Sequence, residues 1–170
     1  MSGWLVMVGI AGGHMAASLV QTLLHRAMGH GALGGLVRAR HVDEHHSIYS
    51  ARNLEASHYS DEEKSLSVFY LIPAGMMILP VFLFFVPAFA IGFAAGLGLS
   101  YLAHIYLHAQ YHLTHPKFGH HGWFRKLRDL HMVHHLDQGR NFAVIDLYWD
   151  KLMGTFRGAG ANDGADGGWQ

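Results

Sequence analysis

Between Ser65 and Ala103 the chain contains no Asp, Glu, Lys or Arg. That run is roughly twice the ~20 apolar residues with which one helix crosses a bilayer. Pro80 and Pro87 bracket Phe82 to Phe85 and mark the expected break between two helices. Met1 to Leu24 is also free of these charges and makes a third expected span. It lacks the basic start of a cleaved signal peptide, and His25-Arg26-Ala27-Met28-Gly29-His30 follows at once. The reading is therefore all-α and integral to the membrane, with about three spans near 3–24, 66–85 and 88–112. A length of 170 residues suits one domain, taken as 1–157. The Gly/Asp/Asn-rich remainder, 158–170, reads as a disordered tail.

Charge sets the expected orientation. Every Lys and Arg lies between Arg26 and Lys64 or between Lys117 and Arg157. Both polar regions are then cytoplasmic, and the segment between them goes out and returns as a hairpin. Charged residues make up 14% of the chain, against about 25% in ordinary soluble domains. A formal net charge of zero offers no basic face for nucleic acid. With no cysteine present, disulfides and thiolate metal sites are excluded.

The sixteen histidines outnumber Lys and Arg together, so a metal site here is built from imidazole, with carboxylate in support. They sort into clusters. His25 and His30 stand where the first span meets the cytoplasm. His41, His45 and His46 follow, the first two one helical turn apart. His104, His108 and His112 are spaced i, i+4, i+8, and His131, His134 and His135 are spaced i, i+3, i+4; each set shares one helical face. Imidazole is the commonest metal ligand near neutral pH. Histidines packed without partners are costly in a core, and ten or more at one membrane face suit two metals better than one. His14 lies inside the first span, while His58, His120 and His121 read as loop residues. Glu55-Ala56-Ser57-His58 has the Glu-x-x-His spacing of soluble di-iron bundles, but those need two copies, and this one reads as coincidence.

The order of the clusters resembles the fatty acid hydroxylase/sterol desaturase superfamily, whose boxes run HX3–4H, HX2–3HH, HX3H, HX2HH. The matches are His25-x4-His30, His41-x3-His45-His46, His104-x3-His108 and His131-x2-His134-His135. Tyr101-Leu-Ala-His104-Ile-Tyr-Leu-His108 is similar to the third box of sphingolipid fatty acid 2-hydroxylases. Asn141-Phe142-Ala143-Val144 and Trp149-Asp150-Lys151-Leu152-Met153-Gly154-Thr155-Phe156 resemble the family's closing signature. Together these span about residues 20–157. The long stretch from His108 to His131 holds further histidines, so His112 and His115 stand as alternatives to His104 and His108.

The resemblance implies a non-haem oxygenase with two irons (zinc after exchange in purification), dioxygen as co-substrate and a lipid substrate: a fatty acyl chain, sphingolipid or sterol. The electron donor would be separate, cytochrome b5-like or a ferredoxin with its reductase. The implied ligands are His25, His30, His41, His45, His46, His104, His108, His112, His131, His134 and His135. Asp150 and Asn141 would support them from behind. Carotenoid ring hydroxylation and lipid desaturation are alternative chemistries for the same boxes. A non-enzymatic membrane metal-binding protein would want ionisable groups deep in the spans, where only His14 qualifies. A bis-histidine haem protein would want its pairs inside facing spans. The helix beginning at Gly122 reads as interfacial, with Arg125, Lys126 and Arg128 near headgroups.

Overall fold

The computed structural model describes residues 3–60 and 71–160. Among them the regular structure is helical: α1 (Gly3–Leu24), α2 (Leu36–Arg38), α3 (His46–Ile48), α4 (Leu71–Phe84), α5 (Pro87–Tyr111), α6 (Gly122–Leu136) and α7 (Tyr148–Met153). Two π-helical segments interrupt the N-terminal third, His25–His30 at the end of α1 and Ala39–His45 between α2 and α3. The expected start of the second span, 66–70, and most of the expected tail lie outside the described residues.

Two helical stretches, Gly3–His30 and Pro87–Tyr111, are long and apolar enough to cross a membrane. Their outward surfaces, and that of the shorter apolar α4, are rich in exposed large hydrophobics, among them Trp4, Met7, Leu79, Leu83, Phe84, Leu99 and Leu102. Surface of this kind suits lipid rather than water. Helix α4 runs through Pro80 and ends at Phe84, so the break before Pro87 falls where the two prolines suggested. Pro87 starts α5 at its first turn, where no intrahelical N–H is needed.

α1 and α5 are the packed pair, and glycine lets their backbones touch. A Cβ on Gly9 would strike the Phe89 carbonyl and one on Gly13 the Phe93 carbonyl. On the facing helix, Gly92 meets the Val6 carbonyl and Gly96 the Ile10 carbonyl. The small-xxx-small spacing on both helices is the pattern of close crossings in membranes. The register climbs together, from Val6 beside Gly92 to Ile10 beside Gly96, so the two helices run parallel. Both therefore deliver their C-terminal ends, with His25 directly after α1 and His108 on α5, to the same end of the molecule. Gly98, by contrast, has nothing within 4 Å of its Cβ position.

The polar cap closes over that end. Phe124 of α6 is fully buried with Tyr111 and Val144. Arg128 does not reach outward as expected. Its Nε donates to the Tyr111 carbonyl at 2.9 Å, one NH2 donates to the Leu113 carbonyl at 2.8 Å, and it pairs with Glu55 at 2.7 Å. It thereby satisfies carbonyls left open at the end of α5 and fixes α6 against it. Arg125, Lys126 and Trp123 remain exposed on the other side of α6.

Candidate metal centre

Nine imidazoles converge in two groups, with ligand atoms inside each group within 4.8 Å of one another. One group is His45, His108, His112, His131 and His135, all buried; the other is His25, His30, His41 and His134, with only His30 partly exposed. The groups cut across the sequence clusters. His41 and His45 are neighbours in one cluster yet belong to different groups, and His134 separates from His131 and His135. His46 stands at the seam. Its Nε2 is 3.1 Å from His41 Nε2, and its ring stacks on His135 at 4.2 Å.

Local backbone explains the convergence. On an α-helix, positions five apart point about 140° away from each other. The wider π-turn brings His25 and His30 to a ring separation of 5.1 Å. The Ala39–His45 π-segment leads into His46, five residues from His41, and brings those two rings to 4.8 Å, and such bulges recur at functional sites. α5 supplies His108 and, at its C-terminal end, His112 one turn on; α6 supplies His131, His134 and His135.

Two loop straps hold rings from behind. In the first, the Tyr49 and Leu54 carbonyls accept from His135 Nδ1 at 2.8 Å and His112 Nδ1 at 2.9 Å. In the second, the Arg140 and Phe142 carbonyls accept from His134 Nδ1 at 2.7 Å and His25 Nδ1 at 2.6 Å. A carbonyl is only an acceptor, so these four Nδ1 atoms carry the proton and each Nε2 presents a lone pair. That second-sphere pattern is the usual support for metal-bound histidine.

Those lone pairs face each other. His112 and His135 Nε2 lie 3.0 and 3.2 Å from His131 Nε2. In the other group, His25 and His41 Nε2 are 2.8 Å apart, His30 and His41 3.1 Å, and His30 and His134 3.0 Å. Nitrogens bound at right angles to one metal at about 2.1 Å stand about 3 Å apart, so the donor set fits a first-row metal in each group. Burial pushes the imidazoles of His45, His46, His131, His134 and His135 below their ordinary value, and neighbouring imidazoles push the same way. All five rings are therefore neutral, the form that coordinates. The buried Nδ1 atoms of His46 and His131 have no hydrogen-bond partner among the described residues.

The two supporting residues expected from sequence act one step further back. Asp150 is fully buried and touches no imidazole in its hydrogen bonds. Its Oδ1 accepts from the Phe142 N–H at 2.8 Å and the Thr155 hydroxyl at 2.7 Å, and its Oδ2 accepts from the Ala143 N–H at 2.8 Å. Asn141, at φ +50°, donates to the Leu130 and Arg157 carbonyls and accepts the Arg157 N–H. Both residues lock the 140–143 strap. Phe142 also lays its ring against His25, His30 and His134, at 5.8, 5.6 and 5.7 Å. The strap carbonyls at Tyr49, Leu54, Arg140 and Phe142 escape a sequence reading, since a backbone oxygen leaves no residue-type signal.

The other candidates separate cleanly. His104 is in neither group; its ring lies 6.1 Å from that of His108, one turn toward the apolar end of α5. His112 takes the place beside His108. His58, His115, His120 and His121 are exposed. His14 sits 3.2 Å from Asp146 Oδ2, away from the groups. Glu55 is engaged with Arg128 and His58 is exposed, so the lone Glu-x-x-His makes no site.

Comparison with curated proteins and with solved structures finds no match. The family model for fatty acid hydroxylases matches residues 10–155, from within α1 to the last residues of the Asp150 clamp. The matched region contains every one of the converging imidazoles, and the chain belongs to the fatty acid hydroxylase family.

Proposed function

We propose that this chain is a membrane hydroxylase that inserts oxygen from O2 into a lipid chain, using two irons held by its imidazoles. The observation that carries the reading is the division of nine converging histidines into two buried groups within a family of hydroxylases. His45, His108, His112, His131 and His135 would hold one metal. His25, His30, His41 and His134 would hold the other, with His46 completing it from the seam. A bound iron pair supplies the redox chemistry that activates O2 toward an unactivated C–H bond.

The chain's own part is positioning and exclusion. The two straps keep each Nε2 aimed at its group. Burial keeps the rings neutral and water out, which protects reactive chemistry from side reactions. The parallel pairing of α1 and α5 sets the groups at the end of the apolar helices, where a lipid chain can reach them. In this reading α4 belongs to a third span and the cap is cytoplasmic. Electrons come from a carrier outside these residues, which have no cysteine for an iron–sulfur cluster.

The test is metal analysis of protein purified anaerobically, joined to lipid analysis of cells with and without the gene under 18O2. About two irons per chain and a lipid carrying one 18O atom are expected. One metal or none in active protein sinks the two-metal reading.

A further inference from the structure

The two imidazole groups are walled by different rings. Against His25, His30 and His134 stands a phenyl ring, that of Phe142. Against the five-imidazole group stand phenols. Tyr49 is buried and stacks on His112, with ring centroids 4.0 Å apart and an interplanar angle of 25°. Tyr59 stacks on Tyr49 in turn, at 5.6 Å and 9°. It is half-buried, and its hydroxyl lies 3.5 Å from His108 Nδ1. The His112, Tyr49 and Tyr59 rings therefore make one stack that leads from a buried imidazole toward solvent. The Tyr49 hydroxyl accepts the Ser60 N–H at 2.7 Å, which fixes the inner phenol.

Phenol and phenyl rings pack alike, but a phenol yields an electron where its proton can leave. Tyr59, half-buried, can lose its proton to water. A third phenol, Tyr111, lies 5.4 Å from His131 in a tilted arrangement. It is fully buried, and its hydroxyl donates to the Val144 carbonyl at 3.1 Å. An amide carbonyl accepts a hydrogen bond but does not carry the proton away, so Tyr111 is a poor electron source despite its position.

We propose that Tyr49 and Tyr59 form a redox relay that discharges the five-imidazole group when an oxidant forms there with no lipid to attack. The proposal rests on the hydroxylase reading and adds a second, protective activity to it. One electron leaves Tyr59 by way of Tyr49 and reduces the O2-derived oxidant by one. The Tyr59 phenolic proton passes to water, which leaves a neutral phenoxyl radical on Tyr59. The one-electron carrier that feeds the metals returns the electron, and water returns the proton. Two such cycles supply the two electrons that a C–H bond would have given.

The experiment uses the iron-loaded, reduced full chain in a detergent with perfluorinated tails, which offer no C–H bond to attack. Samples are frozen at intervals after O2 is added, and radicals are read by electron paramagnetic resonance, with ring-deuterated tyrosine to identify a phenoxyl signal. Wild-type protein should give that signal. Y59F should lose it, Y49F should delay it, and Y111F should leave it unchanged. All three keep a ring in place, so metal content should stay at the wild-type level. Mass spectrometry should find more oxidised histidine in Y59F than in wild type after the same exposure. A signal that survives Y59F, or that appears as fast in Y49F, overturns the relay. So does loss of metal in Y49F or Y59F, which would make the phenols structural supports of the site. Protein that hydroxylates lipid yet yields no phenoxyl radical overturns this inference alone. Wild-type protein that takes up no iron sinks the hydroxylase reading and the relay with it.

Discussion

Asp150 and His25 grip the same residue from opposite sides. The Asp150 carboxylate accepts the Phe142 N–H at 2.8 Å, and His25 Nδ1 donates to the Phe142 carbonyl at 2.6 Å. A carboxylate that never meets an imidazole thereby fixes the tautomer and aim of one. His134 is tied to the same strap through the Arg140 carbonyl. Two of the four imidazoles in one group therefore depend on the conformation of residues 140–143.

Replacing Asp150 with Ala leaves the Phe142 and Ala143 N–H groups and the Thr155 hydroxyl buried without their acceptor. Each such loss costs about 1–3 kcal/mol, so the variant should be destabilised by about 3 kcal/mol or more. Metal should leave the four-imidazole group first, taking the content from about two per chain toward one. D150N keeps one acceptor and should fall between. Thermal unfolding and metal analysis of both variants check this; a D150A protein with full stability and two metals refutes the clamp.

The grouping predicts behaviour that box order alone does not. H25A and H134A should each empty the same group, and the double variant should lose no more metal than either single one. H131A combined with H134A should lose both metals, although these residues are three apart on α6. Metal stoichiometry of the four proteins decides it. If the 131/134 pair behaves like the 25/134 pair, the two groups are one site.

Charge-free runs and histidine spacing make the helices, the polar cap and the set of converging rings legible in the sequence, because helical period and hydropathy are local properties. Three features are not legible, for physical reasons. The partition of rings between groups depends on π-turns at His25–His30 and Ala39–His45, which helical period does not announce. The choice of His112 over His104 depends on how far α5 slides along α1, which the glycine contacts set. The orienting carbonyls are backbone atoms common to every residue. The closing motif singles out Asp150 but does not show that its carboxylate binds the Phe142 and Ala143 N–H groups and the Thr155 hydroxyl and no imidazole.

His58, His115, His120 and His121 are exposed and outside both groups. Alanine at each should change stability by no more than about 0.5 kcal/mol and leave metal content and product formation at wild-type levels. Loss of metal in any one of the four would add a ligand from a surface loop.

The chain has no cysteine, so single cysteines report topology without background. The straps and π-segments bring residues 40–46 and 140–143 together, at the opposite end of α1 from Trp4. Asp43→Cys and Gly139→Cys, both at exposed positions, should label from the cytoplasm in sealed vesicles. Trp4→Cys, 65% exposed in the parent protein, should label from the other side or be shielded by lipid. Labelling of the two cap variants from different sides would overturn a cap shared by both polar regions.

Two kinds of glycine stand on α5. Gly92 and Gly96 are where the backbone of α1 passes, and a Cβ at either would run into the Val6 or Ile10 carbonyl. Neither helix can yield, because each carbonyl belongs to an α-helical ladder and the same kind of contact recurs on α1 at Gly9 and Gly13. Overpacking of this sort costs about 1–3 kcal/mol per site and more where backbone must move. Because the α1–α5 register also sets the distance between His25 and His108, G92L and G96L should lose metal along with stability. Gly98 lies two residues beyond Gly96 but faces an apolar cavity between α1, α4 and α5, with nothing within 4 Å of its Cβ position. G98L should therefore melt within a few degrees of wild type and keep both metals. Melting curves and metal analysis of the three leucine variants test the distinction. A G98L protein as damaged as G92L would mean that the cavity face of α5 is packed.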